Sequence, residues 1–170
     1  GGTVHGFDNN CPRFLAYKHL IKERPEIPKL YQMTGFLVEE FIVAQLEASN
    51  AVIKERETRV QSQIHPDVMI SGRLDLVVEQ DGLDWIWEIK STTSRAALTS
   101  VINQGKVKVS QLGQLITYMV LRDIPRGILS VSYVHLDKQV TKLDFETRQF
   151  MVTTTAEGEI YIDGVLYEHS

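Results

Sequence analysis

Two stretches near the middle of the chain, 68–79 and 84–91, carry apolar residues at close to every second position, and Asp81-Gly82 lies between them. A period of two is the mark of a strand, whose successive side chains point to opposite faces. Asp-Gly suits a two-residue type I′ turn, in which both central residues need positive φ. Such a turn also sets the register of the hairpin. It pairs Leu76 with Trp87, Val78 with Trp85 and Leu74 with Ile89 on one apolar face, which is expected to pack against helices. On the other face it pairs Val77 with Ile86, Asp75 with Glu88 and Arg73 with Lys90.

The rest of the chain reads as helices around this hairpin. Residues 11–22 predict a helix with Phe14, Leu15, Leu20 and Ile21 as apolar positions. Pro25 and Pro28 break the chain, and Thr34 predicts an N-cap for a helix over 35–48. Ser94 predicts the start of a short helix to about Ile102, closed by Asn103 and Gly105. Residues 109–122 predict an amphipathic helix with Leu112, Leu115, Ile116, Met119 and Val120 on one face. Strands are expected at 128–136 and 140–146, with a small hairpin at Asp163-Gly164. The expected class is α/β or α+β, a central sheet flanked by helices. The chain shows no internal repeat or low-complexity linker, and its 170 residues are expected to form one domain over 1–170.

Composition narrows the partners. The content of 43% apolar and 24% charged residues argues for a folded core and against global disorder. No apolar run approaches the roughly 18 residues that span a bilayer, so no membrane partner is expected. The first residues lack the basic and apolar regions of a secretory signal, and Cys11 is the only cysteine. An intracellular location is the expectation. A net charge of −4 argues against non-specific polyanion binding by the whole surface. The charge is segregated, however. Residues 61–84 hold five acids against one base, and residues 85–130 hold six bases against two acids.

The hairpin is where this segregation matters. At the register set by the turn, Asp75 and Glu88 lie directly opposite, with Cα atoms about 4.5–5.5 Å apart. Like charges in that position destabilise a sheet. A divalent cation would reverse the sign, and hard oxygen donors favour Mg²⁺ or Mn²⁺ over zinc. The alternative is a solvated face on which Arg73 and Lys90 neutralise the two acids. The five histidines are scattered and show no zinc spacing.

Three elements in order carry a resemblance: Asp75 in Gly-Arg-Leu-Asp, then Glu88-Ile89-Lys90, then Gln114 and Tyr118 spaced i, i+4 on a helix. Together they resemble the PD-(D/E)XK nuclease superfamily, and within it the RecB/Cas4-like branch. The resemblance covers about residues 11–136 and implies a restriction-endonuclease-like core. It implies Mg²⁺- or Mn²⁺-dependent hydrolysis of DNA, with single strands or duplex ends as partner. The reaction would be of exonuclease or flap type, in recombination or repair, phage replication or CRISPR adaptation. A recombination or adaptation protein partner and the cytoplasm of a prokaryotic or phage-infected cell go with that setting.

The resemblance also implies roles. Asp75, Glu88 and the backbone carbonyl of Ile89 would hold the metal. Glu39, four residues after Gly35 on the early helix, would be a further ligand; on a helical wheel it lies beside the apolar Ile42, where a carboxylate is costly unless paired. Lys90 would orient the attacking water and offset charge in the transition state. Gln114 and Tyr118 would hold Lys90 or a phosphate oxygen. Arg73, Ser91, Thr92, Arg95, Lys106, Lys108 and Gln111 would be phosphate contacts. Relatives of the Cas4 type bind an iron–sulfur cluster through four cysteines; this sequence has only Cys11, so no such cluster is expected. Two other readings compete: a structure-selective or restriction-type endonuclease, and a non-catalytic nucleic-acid-binding module with a relict site.

Overall fold

The computed structural model describes residues 2–5, 29–136 and 143–168. Strand β1 is Gly2–His5 and helix α1 is Lys29–Ala48. A long hairpin follows, β2 (Val52–His65) and β3 (Val68–Gln80), and then β4 (Leu83–Thr92). A short helix α2 (Arg95–Ala97) runs into a π-helical segment, Leu98–Asn103. Helix α3 (Val109–Arg122) leads to β5 (Arg126–Leu136), β6 (Leu143–Thr154) and the small hairpin β7 (Ile160–Ile162) and β8 (Val165–Leu166). The predicted helix at 11–22, its Cys11, and residues 140–142 of a predicted strand lie outside the described residues.

The strands form one mixed sheet, so the fold is α+β with a restriction-endonuclease-like core. β3 is antiparallel to both β2 and β4, β4 and β5 are parallel, and β5 to β8 are successive antiparallel neighbours. Helix α1 covers one face, where Val38, Ile42 and Leu46 pack on Leu76, Val78 and Trp87. Helix α3 covers the other, where Leu112, Leu115 and Met119 pack on Val77, Ile86, Leu129 and Val131.

The β3–β4 turn has φ +53° at Asp81 and +76° at Gly82, as a type I′ turn requires. The expected register holds from Gln80–Leu83 to Leu76–Trp87 and then ends. Beyond Leu76 the strands part. β4 continues beside β5, with Glu88 opposite Leu129 and Lys90 opposite Val131, while the near end of β3 pairs with β1. The expected ladder pairs Asp75–Glu88, Leu74–Ile89 and Arg73–Lys90 therefore do not form. Leu74 joins the α3-side cluster instead.

Two further expectations are corrected, and one strand is new. Helix α1 begins at Lys29, so Thr34 is not a cap but a buried residue within the helix. The buried arc of α3 holds Gln114 and Tyr118 beside Leu112, Leu115 and Met119, while Val120, expected on the apolar face, is exposed. At 100° per residue that arc spans roughly 160°. Strand β2 went unread because it is rich in charge: among the residues of β2, only Val60 is fully buried. Charged side chains are a common protection for a strand with one unpaired edge.

Candidate active site

The parting of β3 and β4 leaves backbone groups without ladder partners, and one side chain fills the gap. The Oδ2 atom of Asp75 accepts a hydrogen bond from the Ile89 N–H at 2.6 Å. A residue's N–H and C=O point to the same edge of a strand, so the Ile89 carbonyl is turned to this fork as well. Asp75 is thus both a structural cap and an acid at the fork.

Glu88 lies alongside and is 2% exposed. One carboxylate oxygen, Oε1, is 3.2 Å from Lys90 Nζ; the other, Oε2, is buried with no hydrogen-bond partner among the described residues. Burial pushes the Glu88 carboxyl up to about 8, the Asp75 charge adds to the push, and Lys90 opposes it. Asp75 is also raised, chiefly by burial, against the pull of the Ile89 N–H and Lys90. The two acids compete for a charge that the protein itself only partly compensates.

Helix α3 supplies the far wall. Lys90 Nζ donates to Gln114 Oε1 at 2.7 Å, and Gln114 Nε2 donates to Tyr118 Oη at 3.3 Å. Two glycines let the helix come this close. A Cβ on Gly127 of β5 would stand 2.8 Å from Leu115 Cδ1 and Met119 Sδ. A Cβ on Gly72 of β3 would stand 2.6 Å from Tyr118 Oη. The glycine of Gly-Arg-Leu-Asp is therefore the floor on which the tyrosine rests. Past its last turn, α3 is closed by Asp123 in the left-handed region at φ +52°, with Ile124 N–H returning to Met119 O.

These residues share one cleft of about 460 Å³. Asp75, Glu88, Ile89, Lys90, Gln114, Tyr118 and Arg73 all line it. So do Arg59, Ser71 and Gly72, which sequence reasoning did not assign. Arg59 lies on the unread strand β2, whose charged sequence carries no apolar alternation to mark it.

Other predicted residues sit elsewhere. Glu39 on α1 does not line the cleft; Arg56 Nε donates to it at 3.3 Å. Its carboxyl is raised first by burial and next by the charge of Asp75, which places it within electrostatic reach of the fork. Among the described residues no three Asp, Glu, His or Cys side chains lie close enough together to hold a metal. Thr92 Oγ1 accepts from the Ser94 N–H, and Ser94 Oγ accepts from the Ala97 N–H, so this pair shapes the entry to α2. Ser91 and Arg95 are exposed beside that entry. Lys108 is the exposed residue before α3, and Gln111 is half-buried, its Oε1 without a partner among the described residues. Lys106 lines a separate cavity of about 580 Å³ against the β7–β8 hairpin.

No family model and no curated protein matches the sequence. Solved structures do match the fold. The crystal structure of SSO0001 superposes with a TM-score of 0.56 at 20% identity, over 86% of this chain and 66% of that one. An alkaline exonuclease, LHK-Exo from Laribacter hongkongensis, gives 0.57 at 12% identity, over 88% and 77%. LHK-Exo in complex with dAMP gives 0.54 at 15%, over 81% and 65%. The chain thus spans about two thirds of the length of SSO0001 and of LHK-Exo in its dAMP complex. Among the described residues no helix is long and apolar enough to cross a membrane. This chain shares its fold with SSO0001 and LHK-Exo, and two acids, a lysine and a glutamine are gathered where two strands of its sheet part.

Proposed function

We propose that this protein is a metal-dependent deoxyribonuclease of the PD-(D/E)XK type, RecB/Cas4-like, acting as an exonuclease or flap-type enzyme. One observation carries the reading. Glu88 is fully buried beside Asp75, with one oxygen unpartnered, and Lys90 is held over the same cleft by Gln114. Burying two acids together costs stability unless something offsets their charge.

The donor set fits Mg²⁺ or Mn²⁺. Two carboxylates and a carbonyl are hard oxygen donors, and magnesium is commonly bound through only one or two carboxylates while keeping several waters. Asp75, Glu88 and the Ile89 carbonyl would hold the ion. Glu39 would serve as a further ligand only on leaving Arg56. When bound, the ion polarises a phosphoryl oxygen and acidifies a coordinated water. Lys90 presents an ammonium, a donor with no acceptor capacity, to the water or the charged phosphate oxygens. Gln114 spends its carbonyl on Lys90 and its amide on Tyr118, so the ammonium is fixed in direction before substrate arrives. Arg73 at the cleft wall supplies charge for the strand backbone. Ser91, Thr92, Arg95, Lys106, Lys108 and Gln111 lie outside the cleft and would be contacts only for a longer strand.

The preference for an exonuclease over a restriction-type endonuclease rests on the likeness to LHK-Exo, one structure of which is a dAMP complex. The test is incubation with Mg²⁺ or Mn²⁺ and end-labelled single- and double-stranded DNA, beside circular forms of both. Stepwise loss of linear DNA with circles spared is expected. Cut circles would replace the exonuclease by an endonuclease, and no cleavage of any substrate would reject the enzyme.

A further inference from the structure

We propose that Arg59 and Arg73 form a two-guanidinium clamp for the backbone phosphate next to the scissile one. The inference rests on the nuclease reading above and adds a site to it. The two arginines are direct cross-strand partners on β2 and β3, and both line the cleft of Asp75 and Glu88. Like charges directly opposite one another weaken a sheet, and among the described residues these are only partly offset, on Arg73 by the nearby charge of Asp75. The ion pair from Arg73 to Glu57 is long, at 3.9 Å, and the Arg73 side chain is 66% exposed. Arg59 makes no ion pair among the described residues. With its amide oxygen turned inward, Gln61 accepts from Arg59 Nε and Nη2 at 3.2 Å each. A neutral acceptor aims the guanidinium without consuming its charge.

The position names the ligand. Arg73 and Asp75 are two residues apart on one strand, about 6–7 Å along β3. That is the scale of one nucleotide step from a phosphate seated at the acids. Two planar forks side by side match the oxygens of one phosphate, and a phosphate between them turns a repelling pair into an attracting trio. The clamp reads no base, so it suits a strand of any sequence. An internal phosphodiester and a terminal phosphate present the same chemistry here.

The test is equilibrium binding of a short labelled single-stranded oligodeoxynucleotide by the whole protein in EDTA, where no metal-dependent cleavage interferes. Wild type, Arg59→Gln, Arg73→Gln, the double variant and Lys54→Gln as a distant charge control are compared over a salt series, with and without a 5′-phosphate. Each single arginine variant is expected to bind roughly tenfold more weakly. The salt slope should fall by about 0.7, the value for one phosphate on a single strand. Because both forks hold one phosphate, the double variant should lose little beyond either single one. A 5′-phosphate that strengthens binding only in wild type marks a terminal phosphate as the ligand; no such gain marks an internal one. Variants that bind like wild type or like Lys54→Gln, or losses that simply add, would overturn the clamp and leave the nuclease reading standing. A wild type that binds no oligonucleotide in EDTA would overturn the clamp, and cleavage in Mg²⁺ then decides the nuclease reading separately.

Discussion

The carboxylate of Asp75 takes the hydrogen bond from Ile89 N–H that a neighbouring strand would otherwise have supplied. One residue therefore joins the fold and the site: it closes the fork and places a negative charge beside Glu88. Separating these two duties is a direct test. Asp75→Asn keeps an acceptor oxygen, so stability should be unchanged or raised while activity is lost. Asp75→Ala orphans a part-buried N–H and should cost about 1–3 kcal/mol in denaturant unfolding.

The buried Glu88 makes a pH prediction. Its carboxyl is raised in the folded state from 4.5 to about 8, by burial first and by Asp75 second. A raised pKa means that the folded protein binds more protons than the unfolded chain. The contribution to stability is complete below about 4.5 and is lost as pH rises through about 8. Metal-free protein should therefore lose on the order of a few kcal/mol across that window. Glu88→Gln, which stays neutral, should flatten the profile, and thermal unfolding from pH 5 to 9 checks both.

Metal binding follows the opposite trend. The ligand form of Glu88 is the carboxylate, so below about 8 the ion must displace a proton. Affinity for Mg²⁺ or Mn²⁺ should rise up to tenfold per pH unit and level off above about 8. Calorimetry in buffers of different ionisation enthalpy should count close to one proton released at pH 7. Asp75→Asn should reduce that count, since the neighbouring charge that helps to raise Glu88 is gone.

The contact between Gly72 and Tyr118 predicts a rescue. Gly72→Ala would drive a Cβ to within 2.6 Å of Tyr118 Oη and should destabilise by about 1–3 kcal/mol. Tyr118→Phe removes that oxygen, although the ring atoms at 3.1 and 3.3 Å remain. The double variant should regain part of the loss, read as a positive coupling in a double-mutant cycle.

Much of this site was legible because its parts announce themselves locally. Asp81-Gly82 sets the register of the hairpin through backbone strain that few other pairs accept, and the 3.6-residue pattern locates α3 at Val109–Arg122. The resemblance of Gly-Arg-Leu-Asp, Glu88-Ile89-Lys90 and Gln114–Tyr118 to the PD-(D/E)XK pattern is what joins these elements into one expected site. The parting of β3 and β4 was not legible, because it accompanies a pairing of Val68–Ser71 with β1, whose residues lie at the far start of the chain. Thr34 has the chemistry of a cap but is buried inside α1, where packing outweighs local preference. Strand β2 shows almost no apolar alternation, so Arg59 and its pairing with Arg73 appeared only in the folded sheet. The placement of Lys106 against the C-terminal hairpin likewise depends on tertiary packing.

Glu88→Gln gives the most direct test of the central claim, that the buried acid serves metal-dependent cleavage. At neutral pH the metal-free carboxyl is largely protonated, so the amide matches it in shape and charge and the fold should be kept. Cleavage of end-labelled DNA in Mg²⁺ or Mn²⁺ is then compared for the variant and wild type at equal thermal stability. The account predicts cleavage by wild type and at least a hundredfold loss in the variant, roughly 3 kcal/mol of transition-state stabilisation. A stable Glu88→Gln protein that cuts DNA as fast as wild type would contradict it.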